Sequence, residues 1–165
     1  EYFYGTLFET PFTESTYQFE EDVNGWNSPS EIYFVPDANH PCIKLDEHAI
    51  YSSSYTYSIP DNLINKNNLF VVFDTEYLEP DPNSASKALF VVDISDTTGK
   101  SAFYKAFKIK RLPDNLIDKW RPGSIGFKLP VITDNMSKIK FYIWNKEKQA
   151  FYINSLGISF YRYNN

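Results

Sequence analysis

The sequence predicts an all-β domain built as a sandwich of two antiparallel sheets, and three observations carry that expectation. Apolar residues recur at every second position or in short runs, the pattern of strands half-buried or buried in a sheet. These runs are separated by turn formers such as Pro36-Asp37-Ala38-Asn39, Glu79-Pro80-Asp81-Pro82-Asn83 and Thr97-Thr98-Gly99. Helical periodicity is confined to one short stretch, so no helices are available to connect parallel strands.

Taken in order, the strands are expected over residues 17–20, 31–35, 42–46, 54–59, 69–77, 87–94, 102–109, 124–129, 139–145 and 151–162. The C-terminal half is the most regular. Ile125, Phe127 and Leu129 alternate with Gly126 and Lys128, and Ile139, Phe141 and Ile143 share one face while Tyr142 and Trp144 share the other. In the last strand Phe151 and Ile153 are odd-numbered, whereas Leu156, Ile158 and Phe160 are even-numbered. One face cannot hold both sets in a regular strand, so a bulge is expected near Asn154-Ser155. The exception to strand is 113–120, where Pro113 can open a short turn of helix with Leu116 and Trp120 on one side.

A length of 165 residues suits one domain spanning 1–165 with one core, large enough to fold without a metal or disulfide. Cys42 is the only cysteine, which excludes an internal disulfide. The formal charge is −5 and the basic residues are scattered, the densest run being Lys105 to Arg111, so nucleic-acid binding is not expected. No apolar run approaches the ~20 residues that span a bilayer, so no membrane span is expected. The chain opens at Glu1 without an initiator Met, as a mature or excised domain would.

Three stretches resemble one family. They are Phe8-Glu9 with Gly25-Trp26; His40-Pro41-Cys42-Ile43-Lys44-Leu45-Asp46 with Tyr51-Ser52-Ser53-Ser54-Tyr55; and Ile139-Lys140-Phe141-Tyr142-Ile143-Trp144-Asn145 with Phe151-Tyr152-Ile153-Asn154-Ser155-Leu156. In this order they are similar to the galactose-binding-like jelly rolls that include many carbohydrate-binding modules. The resemblance implies a jelly-roll sandwich and a non-catalytic role on glycans. It also implies a structural calcium held by an opening-strand Glu and a closing-strand Asp, positions that fall here on Glu9 and Asn154. Pro41 replaces the family's usual Gly, and Asn154-Ser155 replaces its closing Asp pair. Loss of a carboxylate weakens a site for a hard cation, so no other cofactor and at most one calcium is expected.

Catalytic signatures are missing. His40 and His48 have no Cys or His at metal-ligand spacing. No Gly-x-Ser-x-Gly elbow is present, and Arg121-Pro122-Gly123-Ser124-Ile125-Gly126 lacks the Lys of a phosphate-binding loop. Carboxylate pairs such as Glu20-Glu21-Asp22 and Asp46-Glu47 occur in any acidic protein. The best enzyme alternative is a jelly-roll polysaccharide lyase. Phe103-Tyr104-Lys105-Ala106 is similar to a strand of the alginate lyases, but their Arg-containing and Gln-Ile-His motifs are absent.

The aromatic residues are the better lead. With 13 Tyr and 14 Phe, the chain has more rings than a core needs, and Tyr keeps one end wet. Trp144 and Tyr142 point away from the apolar face of their strand, with Cβ atoms roughly 7 Å apart. Tyr104 and Tyr161 lie opposite apolar faces of their own strands and would widen the platform if the three strands share a sheet. A ring takes the C–H face of a sugar, and Asn145 or Lys140 would take hydroxyls. Trp26 and Trp120, in expected loops, complete the candidate set. Against this, each ring can equally pack under a loop or a neighbouring domain. The reading is a glycan-binding module of an exported or cell-surface bacterial protein, with polysaccharide and other domains of a larger chain as partners. An adhesion or assembly module binding protein through the same aromatics is the competitor.

Overall fold

The computed structural model describes residues 10–35, 41–109 and 117–163. Among the described residues nine strands run β1 (Thr13–Tyr17), β2 (Ile43–Leu45), β3 (Tyr55–Ser58), β4 (Leu69–Leu78), β5 (Leu89–Asp96), β6 (Ser101–Lys108), β7 (Arg121–Lys128), β8 (Met136–Trp144) and β9 (Phe151–Arg162). The only helical element among the described residues is a 3-10 turn at Asp61–Leu63. The strands form two sheets of antiparallel neighbours, the jelly-roll sandwich expected from the sequence. In the first sheet the order is β1-β9-β4-β7, and β2 pairs with β9 beside β1. The second has the order β3-β8-β5-β6.

The inward positions follow the period-two pattern. Phe73, Phe90, Phe141 and Phe160 are all fully buried between the sheets, with Phe73 and Phe90 rings 4.5 Å apart and Phe141 edge-on to Phe160 at 5.8 Å. Each such Phe contributes about 1.5–3 kcal/mol on burial, and tilted or edge-on ring pairs add to that. Ile139 and Ile143 flank Phe141 on β8, while Val92 and Ile94 face the same layer from β5.

The bulge lies where the parity change placed it. Glu76 pairs with Ser155 and Tyr77 with Ile153, which leaves Asn154 as the extra residue of β9. Thr75 Oγ1 donates to the Ser155 carbonyl at 2.8 Å, and Asn154 Nδ2 donates to Glu76 Oε1 at 3.0 Å, so the bulge is tied to β4 on both sides. It returns Phe151 and Ile153 to the same buried face as Leu156, Ile158 and Phe160.

Three elements differ from expectation. The first strand lies at Thr13–Tyr17 rather than 17–20, because Phe19 adopts a positive φ of 62° that ends the extended run. Residues 31–35 make only a bridge, Tyr33 to Cys42, rather than a strand. Ile117–Trp120, the described part of 113–120, is not helical.

Cys42 is fully buried, and its Sγ lies 3.3 Å from the Tyr33 carbonyl. Burial pushes its thiol up to about 11. The thiolate is the reactive form, so native protein is expected to resist an aromatic disulfide reagent and to react fully only in denaturant. Rapid labelling under native conditions would contradict this placement.

Candidate functional site

The outer face of the second sheet gathers a cluster of exposed and half-buried rings. On β8 the side chains alternate, so burial of Ile139, Phe141 and Ile143 sends Lys138, Lys140, Tyr142 and Trp144 outward. On β5 the outward partners are Leu89 beside Trp144, Val91 beside Tyr142 and Asp93 beside Lys140. Tyr104 of β6 stands across from Asp93, 48% exposed.

A fourth ring comes from the segment before β3. Ser52 N–H donates to the Ile143 carbonyl at 3.0 Å, and its Oγ accepts from the Ile143 N–H at 2.8 Å. This clamps residues 51–53 along β8 and sets Tyr51 opposite Trp144, 54% exposed. The Tyr51 ring stacks on Trp144 at 6.4 Å and 25°, and meets Tyr142 edge-on at 5.7 Å. Beside these rings is a groove of about 310 Å³ lined by Asn27, Tyr51, Ser52, Ser54, Asp93, Lys140 and Tyr142.

The polar groups of the groove are held in place. Asn27 Oδ1 accepts from both the Ser54 N–H and the Ser54 hydroxyl, and Asp93 Oδ1 accepts from the Ser101 hydroxyl at 2.6 Å. Lys140 Nζ lies 5.9 Å from the Tyr142 ring centre, and Lys146 Nζ lies 5.9 Å from that of Trp144. Partial burial, with Tyr104, Asp93 and Tyr51 close by, pushes the Tyr142 phenol up to about 12. It is therefore a neutral hydroxyl at physiological pH, able to donate a hydrogen bond. A second, wider depression of about 550 Å³ continues from Asn27, Tyr51 and Ser52 toward Ser28, Glu31 and Asp46.

The structure separates the residues singled out from the sequence. Trp144, Tyr142 and Tyr104 share this face. Tyr161 does not: it pairs with Phe70 across β9 and β4, in the other sheet. Trp26 is 8% exposed and belongs to the core, its indole between Tyr17 and Tyr55 at 5.6 and 5.1 Å and its Nε1–H donating to Ser15 Oγ at 2.8 Å. Trp120 is half-buried just before β7, again in the other sheet. Asn145 is 1% exposed; its amide donates to the Gln149 carbonyl at 2.7 Å and its N–H to the Ile50 carbonyl at 2.7 Å, so it shapes the β8–β9 turn rather than facing the groove. Tyr51 and Asp93 were not singled out. Tyr51 sits one register step off β3, since Tyr55 opposes Phe141 but Tyr51 opposes Trp144. Odd-numbered Tyr51 therefore faces outward while odd-numbered Tyr55 faces inward.

The calcium expectation falls partly on Glu9, which lies outside the described residues. At Asn154 the amide oxygen is buried without a hydrogen-bond partner, a feature that suits a cation ligand, but the amide nitrogen engages Glu76. Among the described residues no group of three or more His, Cys, Asp or Glu could hold a metal. A hard cation wants six to eight oxygens, and the described residues offer one unpartnered amide oxygen, that of Asn154, at this position. The melting temperature is accordingly expected to be the same in calcium and in chelator. A rise in calcium that Asn154→Ala removes would place a cation there.

The two packed antiparallel sheets define the class: a β-sandwich of jelly-roll type. The endo-1,4-β-D-xylanase 10B of Clostridium thermocellum, solved as its CBM22-1 and GH10 modules with xylohexaose, matches over 94% of this chain and 29% of its own at 13% identity and a TM-score of 0.53. The CBM22-1 xylan-binding domain of Paenibacillus barcinonensis Xyn10C matches over 91% of this chain and 95% of its own, at 13% identity and a TM-score of 0.47. A further similar structure is the C-terminal family 22 carbohydrate-binding module of Clostridium thermocellum Xyn10B, at 11% identity, 94% and 96% coverage and a TM-score of 0.47. No family model matches the sequence, and no curated protein matches it. Among the described residues no helix is long and apolar enough to cross a membrane.

Proposed function

We propose that this domain is a non-catalytic module that binds polysaccharide on the outer face of its four-stranded sheet. The observation that carries the reading is the cluster of Tyr51, Tyr142 and Trp144 beside a groove whose polar groups are already oriented. Trp144 and Tyr142 offer flat apolar surface to pyranose C–H faces. Asn27, Ser54, Asp93 and Lys140 offer donors and acceptors to the hydroxyls between. Because the rings stack on one another and the groups are tethered, little side-chain entropy is lost on binding.

The chemistry of the groove supports a binding rather than a catalytic role. Glycoside hydrolysis needs two carboxyl groups across the scissile bond. Asp93 is the one carboxylate lining the groove among the described residues, and it accepts a hydrogen bond from Ser101. A lyase needs a base poised near neutral pH, whereas the Tyr142 hydroxyl is pushed the other way, to about 12. In the same reading the domain is an appendage of a larger exported or surface protein, delivering it to glycan.

Affinity electrophoresis or calorimetry against a polysaccharide panel tests the proposal. Trp144→Ala is expected to weaken binding at least about tenfold while changing stability by only about 1 kcal/mol, because the ring is half-exposed. A loss of several kcal/mol would show that the ring is structural, and release of reducing sugar or unsaturated product would overturn the non-catalytic role. A blank panel with specific capture of a protein partner would favour adhesion instead.

A further inference from the structure

The charge on this face runs opposite to that of the molecule. The chain carries a net −5, yet Lys138, Lys140 and Lys146 line up along β8 and its turn on both sides of Tyr142 and Trp144. At the strand rise the stretch from Lys138 to Trp144 covers about 20 Å, with two cations and then two rings on one face, and Lys146 beyond. Lys108 adds a fourth cation at the β6 edge, opposite Leu89. Among the described residues no carboxylate comes within ion-pair distance of Lys138, Lys140 or Lys146. Asp93, the acidic residue on the outward side of these strands, is engaged by the Ser101 hydroxyl. The outward positions of the other sheet, in contrast, carry Glu14, Asp74 and Glu76 beside Lys44 and Lys128.

From this juxtaposition we infer that the preferred ligand is an acidic polysaccharide, one whose sugar units carry carboxylate or sulfate groups. The inference rests on the glycan-binding reading above and specifies its ligand class. Rings on the groove side take the pyranose faces, and the free ammonium groups take the oxyanions that project from alternate units. A lysine is a point charge without the fork geometry of arginine, so it accepts carboxylate and sulfate alike. The net negative charge of the chain disfavours such a polymer in general, and the lysines of β8 offer it a local basic strip.

The test measures binding of the intact domain to polygalacturonate, to the same polymer after carboxyl reduction, to a sulfated galactan and to neutral xylan, at low and high salt. The expected result is binding of the charged polymers at least about fivefold tighter than their neutral counterparts, with the advantage lost at ~1 M salt. The double variant Lys138→Gln/Lys146→Gln should remove most of that advantage with an unchanged melting curve. Preference between the carboxylated and sulfated polymers identifies which oxyanion is used. Equal binding of charged and neutral polymers would overturn the inference and leave the glycan reading standing. Binding of none would overturn both, and equal binding of polyglutamate, insensitive to Trp144→Ala, would reduce the strip to a non-specific polyelectrolyte surface.

Discussion

Trp26→Ala is expected to destabilise the domain by about 3–5 kcal/mol, the range for truncating a buried aromatic. The indole fills the space between Tyr17 of β1 and Tyr55 of β3, and so links the two sheets at one edge of the sandwich. Its removal leaves a cavity there and strips Ser15 of its donor. The backbone around it has no freedom to collapse inward. Gly25 holds φ at +92°, and a Cβ on it would lie 2.4 Å from Tyr55 Cε2, so the turn is already in contact with the ring it supports. Trp26→Phe keeps most of the volume and loses the hydrogen bond, for an expected cost of about 1–2 kcal/mol. Urea denaturation of the two variants measures both. Near-native stability of Trp26→Ala would mean that the indole is a surface group.

Glu79→Ala is expected to cost a similar 3–5 kcal/mol, by a different mechanism. The carboxylate is 0% exposed and accepts from Arg121 Nη2, 2.8 Å from Oε1, and from the Ala85 N–H, 2.9 Å from Oε2. The Glu79 carbonyl also accepts from the Asp118 N–H at 3.0 Å. One residue thus ties the loop after β4 to the start of β7, with the guanidinium lying over the Tyr77 ring at 5.4 Å. Deleting the carboxylate takes its paired charge from a guanidinium that has little access to water. The pair itself adds little over an apolar substitute, so the large effect belongs to breaking it from one side. Glu79→Gln retains an acceptor for Ala85 and should lose less than the Ala variant. Equal losses in the two would mean that the charge is irrelevant. Since total stability of such domains is about 5–15 kcal/mol, either alanine variant should melt far below the parent.

Strand identity was readable wherever burial was one-sided. On β8, alternating Ile, Phe and Ile required Tyr142 and Trp144 to face outward, and a parity change required the bulge at Asn154. Position in the sandwich was less readable, because period two gives a face without saying which sheet owns it. Tyr161 and Tyr142 look alike in sequence, yet β9 and β8 belong to different sheets. Trp26 lies in a loop, and loop residues carry no period from which burial can be inferred; only contact with Tyr17 and Tyr55 decides it. Asn145 sits at the end of a legible strand, but its inward turn depends on the Gln149 carbonyl four residues on. Tyr51 was hidden by the single-step register change between residues 51 and 55, which reverses facing without any change of composition. The basic strip was not read from the sequence, where the basic residues look scattered. Its isolation from carboxylates required the neighbours across the sheet.

β9 pairs with β1, β2 and β4, strands drawn from the beginning and middle of the chain, and Thr13 finds its partner in Phe160. The first sheet is therefore a structure of high contact order, with a keystone that leaves the ribosome after the strands it joins. Before β9 emerges, a nascent chain can close the local β5–β6 hairpin and add β8, but β1 and β2 have no strand to pair with and β4 has one open edge. Refolding from denaturant is expected in milliseconds to seconds rather than microseconds, as for other sandwiches dominated by non-local pairing. The interval before that closure is when the apolar face of β4 is most exposed to a neighbouring chain.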